Sequence, residues 1–177
     1  LEHYPTAMAD LRLRLPSQRY FEEERDALPS PRDFGILMHR VFENAATTDE
    51  IYMAIEAMTQ DGVLDEKEAP RLRELVEKAL ADPVTAEWFG GRGQGVRNEN
   101  EIILPGSGTT RRPDRVMTDG ERAVVVDYKF GDRETARHRK QIREYLRLLR
   151  QMGYTRTEGY LWYVRLGRTE RVEEKED

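Results

Sequence analysis

Residues 122–130 read RAVVVDYKF, the most informative stretch of the chain. Val124, Val125 and Val126 are three successive β-branched apolar residues, the composition of a central strand buried on both faces. The run leads into Asp127 and Lys129, whose charges would cost several kcal/mol in such a place unless paired or metal-bound. Residues two apart on a strand share a face, so the carboxylate and the ammonium point the same way. Upstream, Asp119-Gly120 is a two-residue hairpin signal, and as the turn it sets Thr118 opposite Glu121 and Asp114 opposite Val125. Asp114 then shares the face of Asp127 and lies diagonally from it, roughly 7–8 Å away at the backbone. Two carboxylates reaching inward from there can share one hard divalent cation, which prefers oxygen ligands. A lone D-x-K is more often a structural ion pair, because short motifs match by chance, so the surrounding sequence has to decide between the two.

Around this strand the apolar period changes twice. VRNENEIIL (96–104) and RRPDRVM (111–117) precede it with strand character. An amphipathic helix from about Glu134 to Met152 follows, ended by Gly153, and EGYLWYVRL (158–166) supplies a fourth strand before a short charged tail. The first half is helical. Phe34, Leu37, Met38, Val41 and Phe42 recur at helical spacing from Asp33 to about Asn44–Ala46. TDEIYMAIEAMTQ forms a second helix, stopped by Asp61-Gly62, and a third spans about Glu66 to Ala81, ahead of Pro83. GGRGQG (90–95) reads as a flexible connection. The order predicts an α/β fold, a mixed central sheet flanked by helices with an N-terminal helical portion. Residues 1–32, with Pro5, Pro16, Pro29 and Pro31 around ADLRLRL, read as an extended arm, and 33–177 as one compact domain.

Composition narrows the chemistry. The 177 residues contain no cysteine, which excludes disulfides, thiolate zinc sites, cysteine nucleophiles and an iron–sulfur cluster, so any metal is held by oxygen or imidazole. No run approaches the ~20 apolar residues of a membrane span, and the N-terminus lacks a signal-peptide layout, so a cytoplasmic protein without membrane partners is expected. The absence of an initiator methionine suggests a piece of a longer polypeptide. The net charge of −5 does not advertise a nucleic-acid ligand, but local distribution matters more, and arginines cluster over 111–115 and 133–150. Of these, Arg133, Arg137 and Arg143 are candidates for phosphate contacts.

Three further features lie outside the central strand. His39 falls four residues after Gly35 and four before Glu43, beside the apolar stripe of the first helix. Glu99 and Glu101 share a strand face, and either could approach a metal. Gln141 and Tyr145, one turn apart on the helix after the central strand, are able to act together.

Taken in order, Gly35-x3-His39-x3-Glu43, Asn98-Glu99-x-x-Ile102, Arg112-Pro-Asp-Arg115, Val125-Val-Asp-Tyr-Lys129 and Gln141-x3-Tyr145 resemble the RecB-type branch of the PD-(D/E)XK nucleases. The resemblance covers about Asp33 to Val164. RPDRVM and EGYLWYV look especially like the C-terminal nuclease domains of bacterial helicase–nucleases. It implies a restriction-endonuclease-like fold and a metal-dependent deoxyribonuclease acting on DNA beside helicase motor domains in repair or recombination. The implied cofactor is Mg²⁺, with Mn²⁺ able to substitute. His39, Asp114, Asp127 and the backbone carbonyl of Tyr128 match the metal ligands, Lys129 the catalytic lysine, and Glu99, rather than Glu101, the upstream glutamate. Gln141 and Tyr145 would position Lys129 or the DNA backbone. The chain has no G-x4-G-K-[ST] loop, so these residues contain no ATP motor. The competing expectations are a nuclease fold that binds DNA or a partner without cutting and a purely structural docking domain.

Overall fold

The computed structural model describes residues 31–91, 95–98, 102–103, 110–131 and 135–174. Most of the arm expected over residues 1–32 lies outside these, as do Glu99, Glu101 and Arg133. The expected architecture is present: a five-stranded mixed sheet in the order β1-β4-β5-β6-β7, flanked by helices, with α-helices first in the chain. β5 (Arg122–Lys129) is its centre. It pairs antiparallel with β4 (Arg115–Asp119) and parallel with β6 (Arg156–Tyr163). α5 (Ala136–Gln151) makes the crossover that a parallel pair requires.

β5 is buried on both faces, as its valines require. Val124, Val126 and Tyr128 pack with Met38, Phe42 and Trp162 in a core shared with the N-terminal helices. Ala123 and Val125 pack with Ile142, Tyr145 and Leu146 beneath α5. The helix seats closely because β6 has Gly159 under it: a Cβ there would overlap Ile142 Cγ2 and lie 3.2 Å from Leu146. The helical layer comprises α1 (Pro31–Glu43), α2 (Thr48–Gln60) and α3 (Glu68–Leu80), each within two residues of its sequence-predicted bounds. Thr47 caps α2, its hydroxyl accepting from the Glu50 N–H at 3.3 Å. No helix among the described residues is long and apolar enough to cross a membrane.

Four expectations need correction. First, the β4–β5 hairpin pairs Asp119 with Arg122, Thr118 with Ala123 and Val116 with Val125, so Gly120-Glu121 form the loop and not Asp119-Gly120. Gly120 takes φ 55, the positive φ that a glycine tolerates at the first loop position, and the flanking pair is Asp119 with Arg122, opposite in charge. The slip is two residues, so every side chain keeps its face. The pairing ends at Arg115 with Val126, and its continuation brings Asp114 opposite Asp127 instead of diagonal to it.

Second, VRNENEIIL is not one strand. β1 (Gly95–Asn98) joins the main sheet, whereas β2 (Ile102–Ile103) pairs with β3 (Thr110–Arg111) in a separate two-stranded ladder. RRPDRVM is likewise divided between β3 and β4, with Pro113, which has no N–H for a ladder, in the gap. Third, Pro83 starts a helix as well as following one: α4 (Pro83–Trp88) has proline in its first turn and Asp82 as its cap, Oδ1 accepting from the Val84 N–H at 2.9 Å. Fourth, the charged tail contains β7 (Arg168–Arg171), an edge strand on β6.

Candidate active site

The site forms where β5 ends beside α5. Asp127 is 3% exposed, and on this face of the strand it is followed by Lys129, whose ammonium forms a close ion pair with Asp127 Oδ2. Lys129 Nζ also donates to Gln141 Oε1 at 3.3 Å. Gln141 Nε2 donates to Asp127 Oδ1 at 3.3 Å and to the Tyr145 hydroxyl at 3.0 Å. The neighbours fix the amide's orientation, since a cation needs its oxygen and a carboxylate its NH₂. Asp127, Lys129 and Gln141 thus close a ring of contacts, which Tyr145 braces from the next helical turn.

Asp114 reaches the same place from the gap before β4. Its Oδ2 accepts the Tyr128 backbone N–H at 2.6 Å, and its Oδ1 lies 3.2 Å from His39 Nε2. His39 stands on α1, which approaches the end of β5 closely at Gly35, where a Cβ would sit 3.3 Å from Phe130 Cβ. The Asp114 carboxyl is near enough to Asp127 for its charge to act on it. Burial first, then the Asp114 charge, push the Asp127 carboxyl up to about 6, while Lys129 pulls it down. Removing water and adding a like charge are together stronger than the one cation in contact.

The residues singled out in the sequence are therefore brought together in part: His39, Asp114, Asp127, Lys129, Gln141 and Tyr145 are linked by contacts, and the Tyr128 backbone belongs to the same cluster through its N–H. Glu43 lies in α1, but its side chain is outside the described residues, as is all of Glu99. Among the described residues no three His, Asp or Glu side chains converge as a ready metal cage. Two adjoining carboxylates, that of Asp127 buried, still fit a hard divalent cation. Mg²⁺ in particular is commonly held by one or two carboxylates and completed by water and phosphate oxygens.

The arginines divide. Arg115, grouped in the sequence with candidates for phosphate contacts, is fully buried and serves the fold instead. It donates to the carbonyls of Ala45 at 2.6 Å, Ala46 at 3.0 Å and Trp88 at 2.6 Å, and its guanidinium lies 4.1 Å from the Phe89 ring centroid. The alternation of the strand explains this, since Arg115 pairs with Val126 and so faces the helical layer, opposite to Asp127. Burial holds its guanidinium below the usual range and the neighbouring Tyr128 hydroxyl above its own. Along α5, Arg139 pairs with Glu170, Arg150 with Glu174, and Arg143 Nε donates to the Glu173 carbonyl at 3.2 Å, whereas Arg137 is exposed. Sequence reasoning also missed His138 and Tyr163, whose Nδ1 and hydroxyl lie 3.4 Å apart beside Lys129.

The family model that matches this chain is that of the PD-(D/E)XK nuclease superfamily, and the match spans residues 9–177. No curated protein matches the chain.

Proposed function

The chain belongs to the PD-(D/E)XK nuclease superfamily, and from that premise we propose that it is a metal-dependent deoxyribonuclease of the RecB type, hydrolysing phosphodiester bonds of DNA. The observation that carries this reading is the ammonium of Lys129 held between Asp127 and Gln141, with the Asp114 carboxyl adjoining. A purely structural ion pair needs neither a second carboxylate that raises the first nor an amide that orients the cation.

Asp114 and Asp127 would hold the divalent ion, with His39 and the Tyr128 carbonyl as further ligands, and Glu99 would approach from upstream. A bound divalent cation supplies charge relief at the phosphoryl oxygens and a more acidic water. The remaining work falls to the chain. The Tyr128 N–H and His39 fix both oxygens of Asp114. Lys129 is a compact point charge suited to orienting the attacking water, receiving its proton when neutral, or offsetting charge that grows on the phosphoryl group. Gln141 keeps its ammonium directed, and Tyr145 keeps Gln141 directed.

Mg²⁺ is the expected ion, with Mn²⁺ as a substitute. The motif order and the Q-x3-Y element support a nuclease module working next to helicase motor domains in cytoplasmic DNA repair or recombination. The test is cleavage of linear single- and double-stranded DNA with Mg²⁺ or Mn²⁺ by wild type, Asp127→Ala and Lys129→Ala. Metal-dependent cutting, abolished by EDTA and reduced by at least about a hundredfold in both variants, is expected. A wild type that neither cuts DNA nor binds a divalent ion would overturn the reading in favour of a docking or binding domain.

A further inference from the structure

β5 and β6 run parallel with Lys129 beside Tyr163, and both residues lie on the face covered by α5. The first turns of α5 set Gln141 over Asp127 and Lys129, and they set His138, three residues earlier, over Tyr163. Two polar rows therefore stand side by side at the carboxyl ends of adjacent parallel strands, a usual position for ligands in sheets of this kind. The known motifs use only the first row.

The second row is ordered. Tyr163 is fully buried, and its hydroxyl meets His138 Nδ1 at 3.4 Å. Their rings lie 6.1 Å apart at the centroids. His138 itself is half-buried, and among the described residues no partner occupies its Nε2. Burial, then the cations Lys129, Arg137 and Arg139, hold this imidazole below its usual range, with Glu170 opposing them. The Nδ1–hydroxyl contact admits either direction, and with the Tyr163 hydroxyl as donor the neutral ring carries its proton on Nε2, which makes that atom a donor.

We propose that His138 is a further substrate-contacting residue of this site, its Nε2–H donating to a phosphate oxygen of the bound DNA strand while Tyr163 sets its tautomer. The contacted phosphate neighbours the one at Lys129, because the two side-chain rows are adjacent. This rests on the nuclease reading of the site. Tyr163 is a positioning residue here, since it acts through His138. No proton is transferred, so the contact strengthens strand binding and leaves the chemical step to the Asp127 and Lys129 row.

The test is steady-state cleavage of a short single-stranded oligonucleotide by wild type, His138→Ala and Tyr163→Phe, repeated with a single uncharged methylphosphonate at each position in turn. His138→Ala should raise KM roughly tenfold with kcat within about twofold, the loss expected for one hydrogen bond to a charged group. Tyr163→Phe keeps the ring and should raise KM less. At one position near the cut, the methylphosphonate should weaken wild type but leave His138→Ala unchanged, which a merely structural histidine would not do. Unchanged KM in His138→Ala, or equal losses at every position, would overturn the proposal while leaving the nuclease standing. A wild type that cannot cut with either metal would remove both.

Discussion

Asp127 decides whether this site is stable or useful, because the same burial that prepares it for a cation penalises it without one. Its carboxyl lies at about 6 in the folded chain against 3.8 for the free side chain. The fold thus binds that proton more tightly than the unfolded chain does. The associated stability is fully present below about 3.8 and is lost as the pH rises through about 6. At neutral pH the metal-free protein carries a cost on the order of 3 kcal/mol. Asp127→Asn removes the charge and keeps the shape. It should therefore raise the Tm of the metal-free protein at pH 8, have little effect at pH 4, and abolish divalent-ion binding. Since the ion needs the ionised carboxylate, affinity measured by calorimetry should weaken up to about tenfold per pH unit below about 6. A Tm lowered by Asp127→Asn at pH 8 would mean that the pair with Lys129 outweighs the burial.

At the scale of elements, Arg115 ties together pieces that are distant in sequence. Its guanidinium joins the α1–α2 connection, through Ala45 and Ala46, to the last residue of α4, Trp88, from a position on β4. Arg115→Met should leave those buried carbonyls without their donor and destabilise the fold by at least about 3 kcal/mol, read as a lower urea midpoint. Arg115→Lys should recover only part of this, since an ammonium lacks the planar fork. A phosphate-binding role would instead predict weaker DNA binding at unchanged stability. The sequence could not separate these readings, because Arg112 and Arg115 look alike as charges, and strand alternation alone sends Arg115 inward. Where a signal was strong, the element was legible: the valines of β5 and the long apolar stripe of α5 were both located to within two residues of their observed bounds. β7 was not, because RTER has neither an apolar face nor turn residues and is held by pairing with β6. The site divides the same way. Asp127 and Lys129 stand out as charges at the end of an apolar run. His138 and Tyr163 are 25 residues apart, and only the parallel register of β5 with β6 brings them to Lys129.

Across the whole molecule, charge sets a condition on any DNA complex. The net charge is −5, and two cations of α5 are engaged by the last strand and its continuation: Arg139 by Glu170 and Arg150 by Glu174. At the site, Asp114 and Asp127 outnumber Lys129 once both are ionised. The two carboxylates repel an approaching phosphate, and the net charge of the protein does not draw it in. A divalent cation reverses the local charge where the strand must lie, so it should govern affinity as well as chemistry. In Lys129→Ala, which should not cut, fluorescence anisotropy can read affinity alone. Mg²⁺ should tighten binding of a single-stranded oligonucleotide by at least about tenfold over EDTA at equal ionic strength. Adding Asp127→Asn should remove most of that gain, because the ion then loses its buried ligand. Equal affinity with and without Mg²⁺ would instead assign the strand's grip to exposed cations such as Arg137, and would confine the carboxylate centre to the cutting step.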